Sequence, residues 1–189
     1  MRIGILAIQG NFEAHAKAFA EAGAEACEAR TQQDLDRAEA LVLPGGESTA
    51  MLKLLREEGL WEPLRRACSA KPVFATCAGA ILLAREVSHP VQESLGLVDI
   101  GVERNAYGPQ VHSTVARLTT GEGEALEAVF IRAPVIRRLG ASVRVLARYQ
   151  GDPVLVEQGH FLVATFHPEL TTDRTLQKMF LGKAARVAA

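Results

Sequence analysis

Three stretches, "RIGILAIQG", "EALVLPGGES" and "PVFATCAGAILLA", each contain a short, almost wholly apolar run that turns through glycine or other small residues. Each then leads into a segment with helical spacing. An apolar run without polar alternation suits a strand covered on both faces, and strands alternating with helices build a mostly parallel sheet. The signals in between agree. Asn11 stands where it can cap a helix over "FEAHAKAFAEAG", with Gly23 as its stop, and Thr31 followed by Asp34 has the pattern of a capping box for a short helix. "STAMLKLLREEG" carries apolar residues at i, i+3 and i+4, "LWEPLRRACSA" is a further helical piece, and "AEACEA" reads as a weaker strand.

From Leu97 to Phe166 the pattern changes: "LGLVDIGVERNAYG", "QVHSTVARLT", "EAVFIRAP", "SVRVLARYQ", "DPVLVEQG" and "HFLVATFHPE" read as strands joined by short turns, and "DRTLQKMFLGKAARVAA" as a closing helix. The expected fold is a three-layer α/β/α arrangement. Its central sheet is mostly parallel, with antiparallel strands or hairpins added in the second half. No composition shift marks a linker, so one domain is expected over residues 1–189. A chain of this length buries roughly 70% of the surface exposed when unfolded.

A formal net charge of −1 gives no electrostatic reason to expect nucleic acid or an anionic membrane as a partner. No tract reaches the ~20 apolar residues of a membrane span, and "MRIGILAIQG" reads as a core strand, not a leader. The three cysteines, Cys27, Cys68 and Cys77, are an odd number with no metal-type CxxC spacing, which points to a reducing cytoplasm.

Cys77 stands where strand becomes helix, flanked by Ala75, Thr76, Ala78 and Gly79. In open α/β sheets ligands sit beyond the carboxyl ends of the strands, and a sharp strand-to-helix turn lifts its central side chain above the sheet if the neighbours are small. A free thiol has a pKa of about 8.5, and lowering it by two units takes about 2.7 kcal/mol. A helix N-terminus supplies ~0.3–1 kcal/mol, so a histidine is needed as well. Cys27 and Cys68 lack such a corner and read as structural. Of the five histidines, His15 reads as lying near the surface of the first helix, His89 as a loop residue before proline, His112 as a strand residue of unassigned face, and His160 as opening a strand. His167 differs. It follows the apolar "FLVATF", and Glu169 lies two residues on, on the same side of an extended backbone that Pro168 would hold. A thiol, an imidazole and a carboxylate to orient it make a nucleophilic triad.

"TCAG" followed much later by "FHPEL" resembles the class I, triad-type glutamine amidotransferases. "AIQG", "LPGGEST", "VERNAYG", "VFIRAP" and "FHPELT" resemble one branch of them, the glutaminase subunits of pyridoxal 5′-phosphate synthase. These motifs span nearly the whole chain. Each alone is weak or moderate, whereas the set in one order is specific. The resemblance implies a flavodoxin-like fold and hydrolysis of L-glutamine to glutamate and ammonia, without cofactor or metal. By the same resemblance Cys77 is the nucleophile, His167 the base and acid, and Glu169 the orienting carboxylate. Gly46, Glu47 and Ser48 would contact glutamine, as would Arg104, Ile131 and Arg132. The Gly46 and Ala78 N–H groups would form the oxyanion hole, and Gln9-Gly10 would be a loop coupled to the partner. That partner is a (β/α)₈-barrel synthase subunit within a large hetero-oligomer. The chain departs from the pattern at Ala75, Pro109 and His112. A shared triad leaves two alternatives: a glutaminase serving anthranilate or imidazole-glycerol-phosphate synthesis, and a non-catalytic regulatory subunit. As an ordinary turn, "PGGES" would precede a helix capped by Ser48.

Overall fold

The structure, a computed structural model, describes residues 1–106 and 113–187. Pro109 and His112, two of the departures noted above, lie outside the described residues. In chain order the strands are β1 (Arg2–Leu6), β2 (Glu25–Ala29), β3 (Ala40–Leu43), β4 (Val73–Thr76), β5 (Ala84–Ser88), β6 (Val98–Glu103), β7 (Thr114–Thr119), β8 (Ala125–Phe130), β9 (Val135–Leu139), β10 (Arg144–Tyr149), β11 (Asp152–Gln158) and β12 (Phe161–Ala164). The helices are α1 (Phe12–Glu21), α2 (Gln32–Arg37), α3 (Ser48–Glu57), α4 (Trp61–Ala70), α5 (Ala78–Leu83) and α6 (Thr175–Val187).

A seven-stranded sheet in the order β10-β11-β12-β4-β3-β1-β2 forms the middle layer. β2, β1, β3, β4 and β12 run parallel, and β11 and β10 extend this edge with antiparallel pairings. The pleat sends successive residues to opposite faces. Leu41, Leu43, Val73, Ala75 and Val163 enter a core shared with Met51 and Leu55 of α3 and Leu64 of α4. Val42, Phe74, Leu162 and Ala164 enter the other core, with Phe19 of α1 and Phe180 of α6. Phe74 packs with ring centroids 6.0 Å from Phe19 and 5.6 Å from Phe180. Each fully buried side chain of this size contributes about 1.5–3 kcal/mol, so these strands have no room for a polar face.

The second half only partly follows expectation. β10 and β11 join the main sheet, but β5, β6 and β9 form a separate three-stranded sheet and β7 and β8 a separate pair. The helix after Cys77 ends at Leu83, and "AREVS" continues as β5. Its Ala, Arg and Glu favour helix locally, but parallel pairing with β6 overrides that weak preference. β9, "VIRRL", was also invisible to patterning, because its burial does not alternate. Among the described residues no helix is long and apolar enough to cross a membrane.

Candidate active site

Because β1, β3, β4 and β12 are parallel, their carboxyl ends share one rim of the sheet, and each runs directly into residues expected to act. β1 leads to Gln9-Gly10, β3 to Gly45–Ser48, β4 to Cys77, and β12 to His167.

Cys77 occupies the N-cap position of α5 with φ 46°, a left-handed conformation that costs a non-glycine residue of order 1–3 kcal/mol. Its N–H still donates to Ala164 O at 3.0 Å, so the corner begins one residue beyond the last paired residues of β4 and β12. The need for small neighbours is steric. A Cβ on Gly79 would lie 2.2 Å from Leu43 O, because the first turn of α5 presses on the end of β3. A Cβ on Gly45 would lie 2.3 Å from His167 Cε1 and 3.3 Å from Cys77 Cβ. Turn, ring and thiol residue are therefore in direct contact.

His167 is held from both ends. Its N–H donates to Val129 O at 2.8 Å, in an isolated bridge with β8. Its Nδ1 lies 2.8 Å from Glu169 Oε1. The backbone between them is a 3-10 turn, Pro168–Leu170, where an extended segment was expected; the turn folds the carboxylate back to the ring. With Nδ1 committed, Nε2 is the nitrogen left for Cys77, whose Cβ packs with the ring around Gly45. Burial works against a charged ring, but the hydrogen bonds and charges of Cys77 and Glu169 override it and push His167 up to about 10. For Glu169 burial also opposes ionisation; the His15 ring and the hydrogen bond from His167 outweigh it and hold the carboxyl below its ordinary value. Cys68 shows the opposite case, a thiol that burial alone pushes up to about 12.

The expectation that His15 lies near the surface is wrong. His15 is fully buried, with Nε2 3.0 Å from Thr76 Oγ1 and 3.3 Å from Glu169 Oε2. The usable signal was its place on the inner stripe of α1, three and four residues before buried Ala18 and Phe19. Asn11 stands at the N-cap of α1 but makes no side-chain cap; its Nδ2 donates to Glu169 Oε1 at 3.4 Å. Sequence reasoning missed both contacts.

The Gly45–Ser48 turn is clasped by the loop after β1. Asn11 N donates to Gly45 O at 2.9 Å, and Glu47 N donates to Gln9 Oε1 at 3.0 Å. α3 is capped by Glu47, not Ser48: the Glu47 carboxylate accepts from Thr49 N at 3.2 Å and Ala50 N at 2.7 Å, and also from the Thr49 hydroxyl. A carboxylate reaches two orphan amides and complements the helix dipole, which a serine hydroxyl does less well. Ser48 is instead buried, its hydroxyl donating to Gln92 Oε1 at 2.9 Å. Arg104 is 8% exposed, with Nη2 3.4 Å from Glu47 Oε1, and its buried Nη1 has no hydrogen-bond partner among the described residues. Gly46, Glu47, Ser48, Cys77, Arg104, Ile131, Arg132 and His167, with Gln9 and Gly10, line one cavity of about 380 Å³. Ala78 and Glu169 do not line it: Glu169 lies behind the ring, and Ala78 begins α5 beside the thiol.

A protein-family model described as the SNO glutamine amidotransferase family matches residues 5–186. The chain belongs to this family. It is 56% identical over 190 residues to the pyridoxal 5′-phosphate synthase subunit PdxT of Solibacter usitatus, covering 96% of this chain and 98% of that one. It is 48% identical over 182 residues to the PdxT of Koribacter versatilis, covering 96% and 94%. A crystal structure of a glutamine amidotransferase matches with a TM-score of 0.90 at 47% identity, over 97% of this chain and 98% of that chain. The structure of PurLQS from Thermotoga maritima, 16% identical with a TM-score of 0.71 over 100% and 99% of the two chains, shares the fold. The fold is thus that of the glutamine amidotransferases, as the motifs implied.

Proposed function

We infer that the chain is the glutaminase subunit of a pyridoxal 5′-phosphate synthase, releasing ammonia from L-glutamine for a partner synthase subunit. The Cys77 sulfur attacks the side-chain amide carbon while His167 holds the thiol proton. The tetrahedral intermediate collapses to a glutamyl thioester as His167 protonates the departing nitrogen, and ammonia leaves. Water then attacks the thioester with His167 as base, giving glutamate and the free thiol. Glu169 fixes the ring and balances its charge. The His167–Glu169 pair, 2.8 Å apart, meeting the sequence-distant Cys77 around Gly45, carries this reading.

Arg104 takes the α-carboxylate of glutamine, a role that its cavity-lining guanidinium suits, with the buried Nη1 unpartnered among the described residues. Glu47, Ser48, Ile131 and Arg132 complete the glutamine pocket. Gly46 N–H and Ala78 N–H receive the oxyanion. The Gly45 carbonyl is turned to Asn11 N–H, so in a trans peptide Gly46 N–H points the opposite way. Gln9-Gly10 couples this turn to the docked partner, a (β/α)₈ barrel in a large hetero-oligomer that receives the ammonia.

The test is ammonia release from glutamine by wild type and Cys77→Ala, each with and without the synthase subunit. Wild type alone is slow and rises strongly with synthase, and Cys77→Ala is inactive in both. Activity retained by Cys77→Ala overturns the nucleophile. Full wild-type activity unchanged by synthase overturns the coupling.

A further inference from the structure

Glu169 has two oxygens, and the mechanism uses one. Oε1 accepts from His167 Nδ1 at 2.8 Å and from Asn11 Nδ2 at 3.4 Å. Oε2 is buried 3.3 Å from His15 Nε2 and makes no hydrogen bond among the described residues. The same His15 nitrogen lies 3.0 Å from Thr76 Oγ1, on the residue that precedes the nucleophile. From β4 the Phe74 ring meets His15 edge-on at 6.1 Å, closing the ring off. Among the described residues, Thr76 and Glu169 thus meet this ring directly, with Asn11 and His167 on the other oxygen of the carboxylate.

The surroundings select one protonation state. With its proton on Nε2, His15 donates to Thr76 Oγ1 and turns a positive N–H edge toward the carboxylate. The bare Nδ1, which has no hydrogen-bond partner among the described residues, then carries only a lone pair. A proton on Nδ1 would bury an N–H without an acceptor and aim the Nε2 lone pair at Oε2; both are unfavourable. A doubly protonated ring meets the first of these objections too. Burial is also the main influence on its titration, and with the nearby His167 it outweighs Glu169, holding His15 below its ordinary value.

We propose that His15 is a positioning residue for glutamine hydrolysis: a neutral, Nε2-protonated ring that braces Glu169 on the side away from His167 and ties it, through Thr76, to the nucleophile corner. Because the brace is neutral, it orients the carboxylate without cancelling the charge that His167 needs when protonated. The proposal rests on the Cys77–His167–Glu169 reading above.

Glutamine hydrolysis with the synthase subunit present tests it, comparing wild type, His15→Phe, which keeps a ring but no donor, and His15→Gln, whose amide N–H replaces that of Nε2. His15→Phe lowers kcat about 10–100-fold, the scale set by small displacements of a catalytic group, and leaves KM within about threefold. It also moves the acid limb of the kcat profile toward neutral pH, because a carboxylate deprived of the nearby positive N–H edge binds its proton more tightly. His15→Gln recovers most of the rate and the wild-type acid limb. Wild-type kinetics in His15→Phe overturn the proposal, as does a loss confined to KM, or equal losses in both variants with an unmoved pH profile. Nitrogen NMR of histidine-labelled wild type needs no variant: His15 shows the Nε2–H tautomer and stays neutral as the pH falls through the ordinary imidazole value of ~6.5, whereas an Nδ1–H tautomer or titration at that value overturns the proposal. Cys77→Ala, assayed alongside, separates the two levels. If it is inactive and His15→Phe is normal, only the brace fails; if it is active, the glutaminase reading fails and takes the brace with it.

Discussion

One side of the His167 ring looks into a cavity lined by Arg104, Ser48, Ile131 and Arg132. The other side looks into a dry compartment, where Glu169 is 5% exposed and His15 and Thr76 are fully buried. The wet side is built to change partners with each turnover. The dry side is built never to change them, and in its low effective dielectric each polar contact counts for more. Orientation is thereby settled away from water, and chemistry is carried out next to it.

Substitutions on the two sides should fail in different ways. Glu169→Gln, on the dry side, removes the charge and disturbs the ring's tautomer; kcat should fall roughly 10³–10⁴-fold, by comparison with the same change in a serine-protease triad. Single-turnover ammonia release measures it, and a loss below about tenfold would erase the contrast. Arg104→Lys, on the wet side, exchanges a planar fork for a point charge. Losing a charged hydrogen bond worth ~1.5–3 kcal/mol should raise KM roughly 10–100-fold and change kcat far less. Steady-state kinetics decide this one, and a change mainly in kcat would move Arg104 into the chemistry.

The smallest effect concerns stability. Below about pH 6.5 the unfolded chain takes up a proton that buried His15 resists, so stability is complete above that pH and declines as pH falls. The slope reaches about 1.4 kcal/mol per pH unit for one proton. Glu169, held below its ordinary value, adds a further loss in more acid solution. His15→Gln should flatten the first part of this decline in urea-midpoint measurements. Equal slopes in the two proteins would mean that the folded ring accepts its proton freely.

Features read correctly from sequence were those decided locally or by burial on two faces. β3, β4 and β12 are apolar at nearly every position because helices cover both sides, and Thr31 with Asp34 forms its capping box within one turn. The corner at Cys77 was legible because the steric demand of a close turn falls on adjacent residues. Features decided by distant packing were not legible. "AREVS" becomes a strand only because β6 is there to pair with it. The stripe of α1 marks His15 as inward-facing, but its partners emerge only when α1 docks over the end of β4 and sets it against Thr76 and Glu169. Glu47 displaced Ser48 as the cap because a longer side chain could curl back onto two amides, a choice that residue type alone does not reveal.

The bridge between Val129 and His167 has a mechanical consequence. The proton carrier hangs by its main chain from a two-stranded ribbon that belongs to neither sheet, and such ribbons are marginal unless something leans on them. Here the Phe130–Tyr149 stack, with ring centroids 4.8 Å apart, and the inward-facing Leu118, Leu126 and Ala128 supply that support. The stiffness of the catalytic base is therefore borrowed from a surface hairpin, and loosening its outer strand reaches the imidazole through backbone alone.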